Sequence, residues 1–181
     1  MGKEIIMNFA DIYNKVKSLD GWMGEEDCKA LYERTRSLKN ALIVEIGSYE
    51  GVSTMVMALS SPTSRIVAID PYLEDIPLKT MNVFKQVTEN SDIELIRDKS
   101  QDVGKNWNTP IDFLHIDGDH KYKAVLSDIN LFVPHLKKGC FVFFHDYPVP
   151  NFGVKRAVDE SKDKYFSKFC MVSGFACGKK K

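Results

Sequence analysis

The sequence lacks long apolar runs, an excess of charge of either sign, and closely spaced cysteines. Its longest apolar runs, such as residues 141–144, fall far below the roughly 20 residues that span a bilayer, which excludes a transmembrane helix. The 25 Lys and Arg balance 25 Asp and Glu, so no global field attracts the chain to nucleic acid or to an anionic membrane. The four cysteines form no C-x-x-C pair, which argues against a zinc site or a disulfide framework.

Signals for export, lipid attachment and subdivision are also missing. The N-terminus lacks a basic region followed by a sustained apolar stretch, and Ile6 stands where a myristoylation signal needs Ser or Thr. No internal repeat, low-complexity tract or flexible linker divides the 181 residues. We therefore expect a cytoplasmic protein with a single domain over residues 1–181, in which residues 1–24 form an N-terminal segment and a candidate lid.

The sequence does contain a repeated alternation of short apolar runs with stretches of helical spacing. Runs rich in β-branched and aromatic residues predict strands at residues 41–46, 65–69, 93–96, 111–116 and 140–144. Helical spacing predicts helices at residues 25–38, 52–59, 78–89, 121–132 and 154–163, with a short helical piece after Ser100. Near-continuous apolar strands suit a sheet covered on both faces, so we predict an α/β fold with a Rossmann-like, doubly wound, mostly parallel sheet. Apolar runs on either side of Ser173 and Gly174 predict a C-terminal antiparallel hairpin.

The loop after the first predicted strand carries two glycines, Gly47 and Gly51. Glycine lets the backbone approach a ligand closely, but the dinucleotide fingerprint G-x-G-x-x-G is not matched, which disfavours NAD. Asp70 follows the second strand 23 residues after Gly47, close to the offset at which an acid binds a ribose. A nucleoside ligand is therefore indicated. A turn that needs glycine for geometry alone, and an aspartate that merely precedes a proline, stay as the alternatives.

Acidic residues and histidines follow the fourth and fifth predicted strands. Asp117 and His120 come after the fourth strand, and His145 and Asp146 come after the fifth. Because parallel strands end at the same edge of a sheet, we expect these four side chains to converge on one crevice. Carboxylates suit Mg²⁺, Mn²⁺ or Ca²⁺, and imidazole shifts the preference toward Mn²⁺, Fe²⁺, Co²⁺ or Zn²⁺. Such an ion would lower the pKa of a substrate hydroxyl, and a neighbouring imidazole would take its proton.

Structural roles compete with this interpretation. Asp117 and Asp146 could instead cap the helix or turn that follows each strand. His115 lies within a predicted strand and is expected in the core. His135 lies near a helix end, where it would complement the helix dipole. We assign no functional role to these two histidines.

Five segments of the sequence together resemble the class I S-adenosylmethionine-dependent methyltransferases. Within that class the chain is similar to the small families grouped with the macrocin and mycinamicin O-methyltransferases and the cephalosporin hydroxylase-like proteins. The segments, in order, are residues 21–23, 44–54, 69–72, 116–122 and 136–147. The predicted hairpin fits the antiparallel last strand of that fold. The resemblance implies S-adenosylmethionine as the cofactor.

The resemblance also implies roles for individual residues. The expected cofactor-binding residues are Glu45, Gly47, Ser48, Gly51, Asp70 and Ser100, with the first three at the methionine end, Asp70 at the ribose and Ser100 at the adenine. The expected metal ligands are Asp117, His145 and Asp146, and the expected catalytic residues are Asp117 and His120, with His120 as the base. Two positions depart from the relatives. His145 stands where they usually have an acid, and Lys99 stands where they commonly have an aspartate that contacts the adenine.

These observations lead us to expect an S-adenosylmethionine-dependent methyltransferase that performs metal-assisted O-methylation of a small hydroxylated substrate. The divalent metal is expected to be Mg²⁺, Mn²⁺ or a similar ion. The alternatives are an NAD-linked oxidoreductase and a non-catalytic module that binds a nucleoside cofactor. No nucleic acid or membrane partner is expected, and a homodimer is compatible with the sequence.

The lid is expected from the residues before Glu25, from the loops 71–77 or 148–152, or from a partner subunit. Candidates to line the substrate site are Trp22, Tyr72, Tyr147 and Phe152.

Overall fold

The computed structural model describes residues 7–19, 21–71 and 91–181. The described elements, in chain order, are α1 Phe9–Val16, α2 Glu25–Thr35, β1 Leu42–Ile46, α3 Val52–Ser60, β2 Arg65–Ile69, β3 Asp92–Ile96, α4 Ser100–Lys105, β4 Ile111–Ile116, α5 Tyr122–Phe132, β5 Leu136–Phe144, α6 Val154–Tyr165, β6 Phe166–Val172 and β7 Phe175–Lys180. Within these ranges every helix is too short or too polar to cross a bilayer. The helix predicted at residues 78–89, the aromatic Tyr72 and residues 72–77 of the expected lid loop lie outside the described residues.

The seven described strands form one sheet in the order β3-β2-β1-β4-β5-β7-β6. Neighbouring strands are parallel, except that β7 runs antiparallel to both β5 and β6. The strand order reverses between β1 and β4, and ligands of open α/β sheets bind beyond the carboxyl ends of the strands at such a reversal. The prediction of a doubly wound, mostly parallel sheet with a C-terminal antiparallel hairpin is confirmed.

Two apolar clusters cover the two faces of the sheet, which explains why the strands are apolar on both sides. One cluster contains Val44 and Leu114 and receives side chains from α5 and α6. The other contains their chain neighbours Ile43 and Phe113 and receives side chains from α1, α2 and α3. Successive residues of one strand therefore face opposite clusters, as the two-residue period of a strand requires.

Helix α1 lies in the segment that the sequence analysis treated as a candidate lid. The Asn8 side chain accepts a hydrogen bond from the Asp11 N–H and caps the helix. Ile12 and Val16, four residues apart, are buried in the second cluster. Residues 9–16 thus pack onto the core through one face of α1, and a lid role for residues 1–24 stays a prediction. A helix of two turns offers too few repeats of the apolar period for the pattern to stand out.

Strand β5 begins at Leu136 rather than at the predicted residue 140. Lys137 and Lys138 interrupt the apolar pattern, but they are exposed while Leu136 is buried. Gly139 has a φ of 82°, and the pairing of β5 with β4 shifts register between Ile111 and Phe113. This irregularity hides the first half of the strand from a search for alternating or continuous apolar residues.

Candidate functional site

The loop after β1 lies so close to the loop after β4 that only glycine fits at position 47. Gly47 has a φ of 84°, and a Cβ placed on it would lie 2.0 Å from the carbonyl oxygen of Asp117. Its N–H donates to the carbonyl oxygen of Ile69 at the end of β2, at 2.9 Å. Gly51, with a φ of 86°, is the N-cap residue of α3. The two loops therefore meet backbone to backbone at the strand reversal, the place where ligands of open α/β sheets bind.

Asp70 joins the loops that follow β1 and β2. Its Oδ2 atom accepts a hydrogen bond from the Tyr49 N–H at 2.9 Å. Tyr49 has a φ of 42°, a left-handed conformation that is unusual for a residue with a side chain. Ser48, which precedes it, is almost fully buried. Gly47, Ser48, Gly51 and Asp70 thus lie along adjoining loops at one edge of the sheet, and their contact with a cofactor stays a prediction.

Glu45 occupies an interior position that the sequence did not indicate. The side chain is 0% exposed, and its Oε2 accepts a short hydrogen bond from the Thr54 hydroxyl on α3. Its Oε1 lies 3.1 Å from Nδ1 of His115, which is buried in the core as expected. Glu45 therefore ties α3 and β4 to β1 from within the domain. Its predicted contact with the methionine end of a cofactor is not tested by this arrangement.

Asp117, His120 and Asp146 form a cluster of ligand atoms beyond the ends of β4 and β5. One ligand atom from each residue lies within 4.8 Å of the other two. His120 Nε2 is 3.0 Å from Asp146 Oδ2 and 3.7 Å from Asp117 Oδ1. This nitrogen is buried and makes no hydrogen bond of good geometry within the described ranges. A buried nitrogen directed at two carboxylates suits a bound divalent ion, so these residues fit the metal that the sequence implied.

The backbone of Asp146 supports a functional role for this cluster. Asp146 has a φ of 56°, a conformation that costs free energy in any residue except glycine. It is the second residue after β5, and its carboxylate lies next to His120. Strained residues of this kind concentrate at ligand sites, where the surrounding structure holds them in place.

His145 lies beside the cluster, in contact with Asp117 and with a third acid, Asp27. Its side chain is 5% exposed, with Nδ1 at 3.2 Å from Asp117 Oδ1 and Nε2 at 3.5 Å from Asp27 Oδ2. Burial opposes the charge on His145, but the hydrogen bonds to Asp117 and Asp27 outweigh burial and raise its pKa to about 10. His145 Nδ1 also lies 3.5 Å from Asp146 Oδ2, so both imidazoles adjoin the two carboxylates of the cluster. Metal binding by His145 stays a prediction.

Asp27 is a site residue that the sequence analysis missed. It lies in the first turn of α2, and its Oδ1 accepts a hydrogen bond from the Gly174 N–H in the hairpin turn at 2.8 Å. Its Oδ2 faces His145, 118 residues along the chain. Burial opposes ionisation of Asp27, but the hydrogen bonds to His145 and to the hairpin turn hold its pKa well below the usual range. Asp27 therefore links helix α2 and the turn between β6 and β7 to the cluster.

The position of His145 predicts how the metal-free protein responds to alkaline pH. Its folded pKa of about 10 exceeds the ordinary value of 6.5, so the protonated ring stabilises the fold fully below about pH 6.5. That contribution disappears as the pH rises through about 10. The measurement is the free energy of unfolding from urea titrations in EDTA. Between about pH 7 and about pH 10, we expect this free energy to fall more in the wild-type protein than in His145→Gln, with a difference on the order of a few kcal/mol. Equal pH slopes for the two proteins would contradict the assignment.

Ser100 contacts a second acid that the sequence analysis missed. Its Oγ donates to Oδ1 of Asp128 at 2.7 Å, and Nε2 of Gln101 donates to the same oxygen at 3.2 Å. Asp128 lies on α5 and is 1% exposed. Burial raises the pKa of this carboxyl to about 6. Nothing in the local sequence of α5 distinguishes Asp128 from an ordinary polar residue on a helix surface.

The aromatic residues named as candidates for the substrate site separate into two groups. Trp22 is 90% exposed and stacks on Tyr49, with ring centroids 6.2 Å apart. Phe152 stacks on the His120 ring at 4.4 Å and is partly exposed. Tyr147 instead is buried and donates its hydroxyl hydrogen to Asp159 at 2.9 Å. Trp22 and Phe152 are therefore exposed beside the glycine loop and the cluster, respectively, whereas Tyr147 packs in the interior.

Residues 44–147 match the family model of a methyltransferase domain. The chain belongs to this family. The match begins in β1, ends after β5 and includes both the glycine loop and the Asp117, His120 and Asp146 cluster. The methyltransferase domain thus contains every strand end that the sequence analysis assigned to the site.

The chain also resembles individual proteins. It is 33% identical over 112 residues to the uncharacterized protein R132 of Acanthamoeba polyphaga mimivirus, covering 58% of this chain and 50% of R132. The chain therefore spans about half the length of that relative. The O-methyltransferase TomG from Streptomyces achromogenes, solved with S-adenosylmethionine, superposes with a TM-score of 0.70 at 14% identity, over 98% of this chain and 92% of TomG. The MycE methyltransferase, solved with Mg, S-adenosylhomocysteine and mycinamycin VI, gives 0.67 at 14% identity, over 97% of this chain and 55% of MycE.

Proposed function

We propose that the protein is an S-adenosylmethionine-dependent O-methyltransferase that acts on a small hydroxylated molecule with the help of a divalent ion. The observation that carries the proposal is the contact between two loops. Gly47 of the glycine loop lies against the backbone of Asp117, which belongs to the acid and histidine cluster. A cofactor above the first loop and an acceptor at the cluster would therefore be neighbours. The TomG complex with S-adenosylmethionine and the MycE complex with Mg support the choice of ligands.

The residues of the chain supply binding and orientation. Gly47 and Ser48 would hold the methionine end of the cofactor, Asp70 the ribose, and Ser100 the adenine. Asp117 and Asp146 would hold the ion through their carboxylates, with His120 Nε2 beside them as the base. When bound, S-adenosylmethionine supplies an electrophilic methyl group, and the ion supplies positive charge that favours an ionised acceptor hydroxyl. Holding the reacting groups in line accounts for up to roughly 7–11 kcal/mol of the barrier in well-oriented reactions.

His120 is suited to receive the acceptor proton. Its Nε2 faces both carboxylates of the cluster, and the stacked ring of Phe152 fixes the plane of the imidazole. The neighbouring carboxylate of Asp117 is the largest influence on His120 and raises its pKa, because a negative charge favours the protonated ring. A proton taken from an acceptor hydroxyl would be held at Nε2 and stabilised by Asp117 and Asp146.

Calorimetric titration with S-adenosylmethionine, S-adenosylhomocysteine and NAD, before and after treatment with EDTA, tests the cofactor. We expect binding of both methionine-derived ligands and none of NAD. Binding of NAD alone would favour the oxidoreductase alternative. Binding of S-adenosylmethionine without methyl transfer to any hydroxylated acceptor, with or without Mg²⁺ and Mn²⁺, would favour a non-catalytic module. A cytoplasmic location, a homodimer and the absence of nucleic acid and membrane partners stay predictions.

A further inference from the structure

The structure places two of the four cysteines opposite each other in the C-terminal hairpin. Cys170 on β6 pairs with Cys177 on β7 in the antiparallel register, on either side of the turn at Ser173 and Gly174. The side chains of directly opposed residues lie on the same face of a sheet, as nearest neighbours across the two strands. The hairpin register therefore brings together two thiols that the proposed chemistry does not use.

The two thiols differ in their access to solvent. Cys170 is exposed on β6, whereas Cys177 is buried in the second apolar cluster and pairs on its other side with Phe143 of β5. Burial is the largest influence that raises the pKa of Cys177 to about 12, and the neighbouring Cys170 thiol adds to it. The thiolate, not the thiol, is the form that attacks a disulfide. Cys170 is therefore the thiol that a reagent in solution meets first, and Cys177 is reached through Cys170.

The geometry of directly opposed residues suits a disulfide. Their Cα atoms lie roughly 4.5–5.5 Å apart, within the roughly 4.4–6.8 Å that disulfides span. Their Cβ atoms also lie roughly 4.5–5.5 Å apart, against roughly 3.5–4.5 Å in a disulfide, so the two strands must approach by up to about 1 Å. Strand β6 is the outermost strand of the described sheet, so it can make this movement without displacing another strand. A bond that requires such movement is more easily reduced than a relaxed structural disulfide.

We propose that Cys170 and Cys177 form a dithiol site that undergoes reversible exchange with small disulfides. The Cys170 thiolate attacks one sulfur of the small disulfide, forms a mixed disulfide and releases the other sulfur as a thiolate. Cys177 then gives its proton to solvent and attacks Sγ of Cys170, which releases the second small thiol. The protein loses two electrons and two protons, and the small disulfide is reduced to two thiols.

The new bond would close the hairpin around its turn. The Gly174 N–H in that turn donates to Asp27 at 2.8 Å, so the bond would restrain a segment that touches the cluster of acids and histidines through Asp27 and His145. The exchange itself does not depend on a cofactor, a metal or a methyl acceptor. The inference therefore stands or falls independently of the proposed function.

The test treats the full chain with oxidised glutathione at about pH 8 in EDTA, where an exposed thiol is partly ionised. We expect the thiols that can be alkylated after denaturation to fall from four to two. Trypsin leaves both cysteines on the peptide 169–179, which contains no internal Lys or Arg and should be lighter by two hydrogens. Cleavage after Phe175 should then leave two fragments that separate only on reduction. Excess reduced glutathione should restore four thiols.

Single variants separate the two steps. Cys177→Ser keeps the attacking thiol but lacks the second one, so Cys170 should accumulate as a mixed disulfide with glutathione. In Cys170→Ser, an exposed change, we expect Cys177 to react with glutathione at least about tenfold more slowly than Cys170 does in the wild type, because burial keeps it protonated. Cys140→Ser, on β5, is the matched control and should still lose two thiols.

The wild-type peptide map and Cys170→Ser decide the inference even if Cys177→Ser fails to fold. Four thiols that persist in the wild type would overturn it. A stable glutathione adduct at Cys170 without an internal bond, or a bond that includes Cys28 or Cys140, would overturn it as well. None of these results bears on whether S-adenosylmethionine binds.

Discussion

Replacing Gly47 by Ala should abolish binding of S-adenosylmethionine and destabilise the domain. The new Cβ would lie 2.0 Å from the Asp117 carbonyl oxygen and 2.8 Å from the Gly118 Cα, both rigid backbone atoms. The loops after β1 and β4 would have to separate, which disrupts the crevice between them. The φ of 84° adds a left-handed penalty. We expect a loss of roughly 2–5 kcal/mol in the free energy of unfolding by urea titration, and no detectable heat of cofactor binding.

Gly139→Ala is the matched control for this change. Gly139 has a similar φ of 82°, but a Cβ there would meet only the Lys179 side chain, at 3.8 Å. It therefore carries the left-handed penalty of about 1–2 kcal/mol without the collision. Cofactor affinity should stay at the wild-type value in this control. Wild-type affinity in Gly47→Ala, or an equal loss of stability in the two variants, would show that the loops do not need the close approach seen here.

Replacing His120 by Ala should lower turnover by about 10²- to 10⁴-fold, the usual contribution of a general base, while cofactor affinity changes little. The expectation follows from the position of Nε2 beside the two carboxylates of Asp117 and Asp146. The measurement is methyl transfer to an accepted hydroxylated substrate, with the affinity for S-adenosylhomocysteine measured in parallel. His135→Ala, in the 3₁₀ turn before β5, is the matched control and should retain wild-type turnover.

Two further measurements separate the roles open to His120. If the imidazole accepts the proton, the turnover of His120→Ala should recover as the pH is raised, because hydroxide replaces the base. If the imidazole mainly holds the ion, turnover should instead recover with excess Mn²⁺ or Mg²⁺, because weaker binding is overcome by concentration. Equal turnover in His120→Ala and the wild type would remove His120 from both roles.

Much of the site followed from the sequence because local patterns fix strands, and parallel strands bring their carboxyl ends to one edge. Knowing that Asp117 and His120 follow one strand and Asp146 the next was sufficient to predict that they meet. The close approach of the glycine loop could also be predicted from the sequence, since Gly47 and Gly51 mark backbone conformations that only glycine adopts freely. The alternation of apolar runs with helical stretches gave the sheet and its terminal hairpin. The sequence did not predict helix α1 or the first half of β5, because the apolar pattern of α1 is short and that of β5 is interrupted.

The sequence by itself determined the fold class, the edge at which the site lies and the residue types that meet there. The tertiary structure alone decided the surroundings of the two imidazoles: His120 stacks on Phe152, whereas His145 lies between Asp117 and Asp27. It also placed Asp27 beside His145 and Asp128 behind Ser100, across long stretches of chain. Such pairings depend on how helices pack onto the sheet and on side-chain rotamers. Those are set by contacts between distant segments, which no local pattern records.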